Sequence, residues 1–305
     1  MSYSRLAGAL FVTLLAILAL AGCGSSDVVA TFDGGQVHRA ELDKQFKLQR
    51  LLIAPQYPDT PQNRLEVLQQ YIVMHDILDQ KAKQEGITVS DKELADTVAQ
   101  YRQQLIQYVY GNADALNKKM AELGLQDNDL QALARDDILA QKYFAKHLSV
   151  SDEEIQAYYK DHPADYTIAK VAHILVKTKQ EAEQVEARIL KGESFAQIAK
   201  EVSLDPSKDQ GGELPEGPLS QWVGPFQDAA MKLPIGQISD PVQTQFGWHI
   251  LRVDSRRVEP LSQVKDQVKN KVMQMKEQQW FNQAKQDAHI TLEDSALKQA
   301  AAGGP

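Results

Sequence analysis

The first stretch of the chain is apolar or small from Leu6 to Gly22, interrupted only by Thr13. It sits at the lower limit of what crosses about 30 Å of hydrocarbon. Arg5 before it, and a small-residue and Gly/Ser stretch after it, fit the apolar region of a secretory signal. Val28 to Phe32 then predicts a strand, Asp33-Gly34-Gly35 a turn, and Gln36-Val37-His38 a returning strand, together a hairpin. The period now becomes helical. Thr60-Pro61 marks a helix start, followed by an apolar stripe of Leu65, Leu68, Ile72 and Leu78 that ends near Gly86. Ser90 with Glu93 forms a capping box before Leu94, Val98, Tyr101 and Leu105. A further helix is expected from Asp127 to His147, and Ser151 with Glu154 opens a short one that stops near His162-Pro163.

The texture changes at Tyr166. Residues to Val176 are β-rich, and beyond them short helices, glycine turns and strands alternate. A last long helix begins near Leu261 with Val264, Val268, Val272 and Met275 on one face and runs to about His289; Ala300 to Pro305 reads as a frayed end. A helix that is apolar on one face needs a partner, and the first helical region is the economical choice. A self-contained hairpin or a coiled-coil homodimer are the alternatives. The expected fold is α+β: a small antiparallel sheet with surrounding helices inserted into a mainly helical, discontinuous domain. The expected boundaries are 28–165 and 258–292 for the helical domain, 166–257 for the insert and 293–305 for a flexible tail.

Composition narrows the classes. A length of 305 residues suits about two domains, and 43% hydrophobic with 24% charged residues is globular. Acidic residues outnumber basic ones 41 to 33, for a net charge of −8, which argues against nucleic acid as a partner because that needs a basic surface. A single cysteine, Cys23, excludes an intramolecular disulfide and any Cys-based zinc cluster. It closes the apolar run. Leu20-Ala21-Gly22-Cys23 resembles the lipobox of bacterial lipoproteins. That resemblance implies a signal peptide over 1–22, a lipidated tether over 23–27, and a diacylglycerol on Cys23 holding the protein to the bilayer outside the cytoplasm. Two or more acyl chains make a stable anchor. ATP is not expected there, which disfavours ATP-driven functions.

Two of the seven histidines fall inside apolar strand patterns. His173 shares a face with Val171 and Leu175, and His249 with Leu251 and Val253. Singly, each reads as a hydrogen-bonded core histidine. Together they can meet across neighbouring strands with Cβ atoms about 5 Å apart. No third or fourth ligand stands at a recognisable zinc spacing, so no metal is expected.

The order of motifs here resembles the parvulin family of peptidyl-prolyl cis-trans isomerases. The matching segments are Ala172-His173-Ile174-Leu175-Val176, Ser194-Phe195-Ala196-Gln197-Ile198-Ala199, Ser203-Leu204-Asp205-Pro206-Ser207, Gly211-Gly212-Glu213-Leu214, Pro225-Phe226-Gln227-Asp228-Ala229 and Phe246-Gly247-Trp248-His249-Ile250-Leu251. With the lipobox-like ending and flanking helices, the whole chain resembles PrsA-type foldase lipoproteins. It is similar also to SurA-type chaperones, which share the split helical domain without the anchor. The resemblance implies X-Pro isomerisation without a cofactor. It implies His173, Asp205 and His249 as the catalytic group and Leu214, Trp222, Phe226, Thr244 and Phe246 as the substrate pocket. Unfolded secreted proteins are the implied partners. Three positions depart from the family pattern: Pro215 where glycine is usual, Gly217 where an aromatic or large apolar residue is common, and Trp222 at a pocket position often held by methionine. Pro215 and Gly217 keep open an alternative, a chaperone whose insert only binds peptides. A solute-binding lipoprotein is disfavoured by the long helices and the lack of repeated βα units.

Overall fold

The computed structural model describes residues 27–53 and 57–303; the expected signal segment, Cys23 and all of the tether except Asp27 lie outside the described residues. The chain runs β1 (Val28–Phe32), β2 (Gly35–His38), α1 (Arg39–Leu52), α2 (Pro61–Tyr71), α3 (Leu78–Gln84), α4 (Asp91–Leu105), α5 (Ala113–Leu123), α6 (Asp127–His147) and α7 (Asp152–Asp161). It continues through β3 (Thr167–Val176), α8 (Lys179–Leu190), α9 (Phe195–Val202), β4 (Gly217–Pro218), α10 (Gly224–Lys232), β5 (Val242–Thr244), β6 (Gly247–Val258), α11 (Leu261–Asp287), β7 (Thr291–Leu292) and α12 (Ser295–Gly303). Two compact units divide it: one up to Ala140 together with Ala284 onward, the other Gln141–Gln283.

In the first unit the helix starts follow from local chemistry. The Thr60 hydroxyl accepts from the Asn63 amide at 3.2 Å, and Ser90 and Glu93 exchange bonds as a capping box, which satisfies amides a helix start leaves free. The expected hairpin forms with Phe32 opposite Gly35. Val29, Val37, Leu42, Phe46, Leu68 and Ile72 build the core beneath it.

The end of the chain differs from expectation. β7 pairs with the free edge of β1, and α12 stands where a frayed tail was expected. Asp294 explains it. One carboxylate oxygen accepts from the Leu297 amide at 3.0 Å and the other from Arg39 at 2.7 Å, and the Leu297 side chain drops into the core, 2% exposed.

The second unit is built on a sheet of order β4-β3-β6-β5, antiparallel throughout. Ala172, Ile174, Val176 and Ile250 pack against Phe195 and Ile198. Val171, Leu251 and Val253 pack against Leu219, Phe226 and Ala230. Ser151 and Glu154 cap α7 as expected. The stripe on α11 finds its partner there: Val264, Val268 and Val272 cluster with Ile155, Tyr158 and Tyr166. Met275 is left 42% exposed. Helix α7 and most of α11 thus belong to the sheet-bearing unit.

Candidate active site

The long ladder between β3 and β6 sets the site. Its register puts His173 opposite Leu251 and Leu175 opposite His249. The two histidines are therefore diagonal neighbours on one face, not directly opposed; diagonal pairs are within reach of long or aromatic side chains. Their rings stack at 5.3 Å and 15°, with the two Nδ1 atoms 3.1 Å apart. The residues are 5% and 3% exposed.

The contacts continue in both directions. His173 Nε2 lies 3.3 Å from Asp205 Oδ1, a close polar contact outside good hydrogen-bond alignment. His249 Nε2 lies 2.8 Å from Thr244 Oγ1, which accepts from the Phe246 amide at 3.1 Å. One set of protons fits the whole row. Ionised Asp205 only accepts, so His173 carries its proton on Nε2 and accepts at Nδ1. His249 then donates from Nδ1, accepts at Nε2, and takes the Thr244 hydroxyl proton as a hydrogen bond. Both imidazoles are neutral in this arrangement.

The electrostatics agree. Burial holds the His173 pKa below the usual imidazole range, although Asp205 pulls it upward. Burial, reinforced by His173, pushes His249 down to about 4. For Asp205 burial acts upward, but hydrogen bonding to Ser207 and the proximity of His173 outweigh it and leave the carboxyl below its usual value. The Ser207 amide donates to Oδ1 at 2.9 Å.

A consequence is pH-dependent stability of the second unit. Between pH 6.5 and about 4 the unfolded chain binds a proton at position 249 that the folded one refuses. Stability is full above pH 6.5 and falls as the pH drops through that window, by on the order of 3 kcal/mol. Urea titrations followed by tryptophan fluorescence check this, since Trp222, Trp248 and Trp280 all lie in the second unit. His249→Gln should weaken the dependence and leave the part that His173 contributes in the same direction.

Local backbone geometry holds the acid in place. The Ser203 hydroxyl accepts from the Leu175 amide at 3.1 Å and the Asp205 amide at 3.3 Å, tying the loop to β3. Gly212 has φ +84°, and a Cβ there would stand 2.4 Å from the His173 carbonyl oxygen. The His173 amide donates to the Gly212 carbonyl at 2.8 Å. Neither Ser203 nor Gly212 figured among the site residues expected from the sequence. The motif that contains each was the only available signal.

The apolar wall is Phe226, 3% exposed, which meets both imidazoles edge-on with ring centres 5.5 Å from His173 and 5.4 Å from His249. Trp222 packs 5.5 Å from Phe226, and Leu214 belongs to the same cluster. The expected group of His173, Asp205, His249, Thr244, Phe226, Trp222 and Leu214 is thus brought together. Phe246 joins it through its backbone amide, while the residue is 62% exposed. Gly217 pairs with Ala169 at the sheet edge.

Residues 150–266 match the PPIC-type peptidyl-prolyl isomerase domain, and residues 4–116 the SurA-like N-terminal domain. The foldase protein PrsA of Caldanaerobacter subterraneus subsp. tengcongensis is 32% identical over 297 residues, covering 88% of this chain and 91% of the relative. The chain belongs to the PrsA foldase family. The PrsA of Clostridium acetobutylicum is 33% identical over 282 residues, 83% of each chain. The crystal structure of the PrsA peptidylprolyl isomerase from Bacillus anthracis is 26% identical, covers 77% of this chain and 97% of that one, and superposes with a TM-score of 0.47. This PrsA-family chain therefore carries a parvulin-type peptidyl-prolyl isomerase domain in its second unit.

Proposed function

We propose that this foldase is tethered outside the cytoplasm by diacylglycerol on Cys23 and isomerises X-Pro bonds in unfolded secreted chains. The observation that carries the catalytic part is the row Asp205–His173–His249–Thr244, its two imidazoles neutral, lying against an apolar wall. Turning an amide costs about 18–20 kcal/mol, because resonance is lost when the C–N bond twists. No bond to carbon is made or broken, so a site need only favour the twisted amide over both planar isomers. Phe226, Trp222 and Leu214 hold the proline ring, with Phe246 and Thr244 at the rim. The planar amide is the more polar form, and an apolar, water-poor pocket disfavours it relative to the twisted one. Two imidazoles kept neutral by burial fit that task, since a charged pair would draw water inside.

The helical segments 28–165 and 258–292 supply client binding in this reading, and 166–257 supplies turnover. For the anchor, Cys23→Ser expressed in a bacterial host should lose palmitate labelling and move from the membrane pellet to the soluble fraction. A secreted protein whose refolding is limited by X-Pro isomerisation should refold faster with either form present. Unchanged labelling would remove the anchor; unchanged refolding with the folded protein would remove the client assignment.

A further inference from the structure

The far end of α10 is held by a residue outside the pocket. A helix leaves its last carbonyls without partners. In α10 the difficulty is built into the sequence: the donor that would serve the Ala230 carbonyl is position 234, a proline with no N–H. The last intrahelical bond is from the Leu233 amide to the Ala229 carbonyl at 2.9 Å. At the other end the N-cap residue is Val223, whose side chain makes no capping bond. Half-buried Arg256 fills the gap. Its Nη1 donates to the carbonyls of Ala230, Met231 and Leu233 at 2.8, 2.7 and 3.1 Å, with at least one of its two hydrogens shared. A cation at this end is favoured by the helix dipole as well.

Phe226 lies one turn before Ala230, and both are buried in one cluster with Leu251 and Val253. Arg256 stands on β6, opposite Ala169 of β3, on the strand that also supplies His249. One strand thus carries both the imidazole and the arginine bonded to the end of the helix that bears Phe226.

We propose that Arg256 is a positioning residue for the isomerase: it fastens the last turn of α10 to β6 and so fixes the Phe226 ring against the His173–His249 pair. The inference rests on the site assignment given above, and the test separates the two. In the full chain, Arg256→Met should lower kcat/KM for an X-Pro peptide about tenfold, the scale of a sub-ångström misplacement. It should also shift the imidazole ¹⁵N resonances of His173 and His249. Arg256→Lys, whose ammonium still donates to those carbonyls, should recover both. A lower melting temperature with kcat/KM and the resonances unchanged would overturn the proposal and leave a structural cap only. Should Arg256→Met not fold, Arg256→Gln is read in the same way. If His173→Ala is also without effect on turnover, the site assignment itself has failed; if His173→Ala lowers turnover and the Arg256 variants do not, only the clamp has failed.

Discussion

Replacing His173 with alanine is expected to lower kcat/KM for an X-Pro peptide by about 10- to 100-fold while the chain stays folded. With its Nε2 proton turned toward Asp205, His173 is an acceptor at Nδ1. His249 donates from Nδ1 to His173 across 3.1 Å, and the truncation leaves that buried donor unmatched, at about 1–3 kcal/mol. Where the penalty falls on the geometry that favours the twisted amide, each 1.36 kcal/mol is a factor of ten in rate. The same change deprives Asp205 of the neighbour that helps hold its carboxyl pKa down, and opens a gap beneath the Phe226 edge. Exchange spectroscopy on a peptide with both isomers populated measures the rate directly. The double variant His173→Ala/His249→Ala should be little worse than either single one, because residues acting as a unit are strongly non-additive. Additive losses, or full activity in folded His173→Ala, would show that the imidazoles act separately or not at all.

Much of the fold was legible because its signals are local. Thr60, Ser90 and Ser151 mark helix starts through bonds to residues three positions on, and that chemistry is visible in a short window of sequence. The two histidines could be picked out because alternation places them on core-facing strand positions. Their diagonal relation could not, since the two lie 76 positions apart and it depends on the register of two distant strands, which shifts between Lys170 and Val171. The helix at the end was missed for a related reason. Its local signals are present, Asp294 as a cap and an alanine-rich stretch before Gly303, but so short a helix is marginal by itself, and what holds α12 is distant: Arg39, 255 positions from Asp294, and the core begun at Val29 that Leu297 enters. Phe246 shows the limit of motif reasoning: the motif is in its expected place, but the backbone amide makes the contact while the side chain faces solvent.

Gly212→Ala should destabilise the second unit by about 2–4 kcal/mol, more than the same change at a glycine of that unit with open space around it, such as Gly192. Two costs act together. A φ of +84° strains any residue that carries a Cβ, and the added carbon would meet the His173 carbonyl oxygen at 2.4 Å. That oxygen is backbone in the middle of β3, so it cannot swing aside as the end of a long side chain would. Gly192→Ala separates the terms, because Gly192 has φ +96° with nothing within 4 Å of its Cβ position; it should show the strain alone, about 1 kcal/mol. The difference between the two variants is then the steric part, read from urea titrations by tryptophan fluorescence in the second unit. It should carry a loss of turnover with it. His173 is bonded through its amide to the Gly212 carbonyl at 2.8 Å, so relief of the clash has to move the residue on which the imidazole pair depends. Gly192→Ala has no such connection and should keep its kcat/KM. Equal destabilisation by both changes, with turnover intact, would mean that the glycine turn serves only its own conformation and does not set the position of His173.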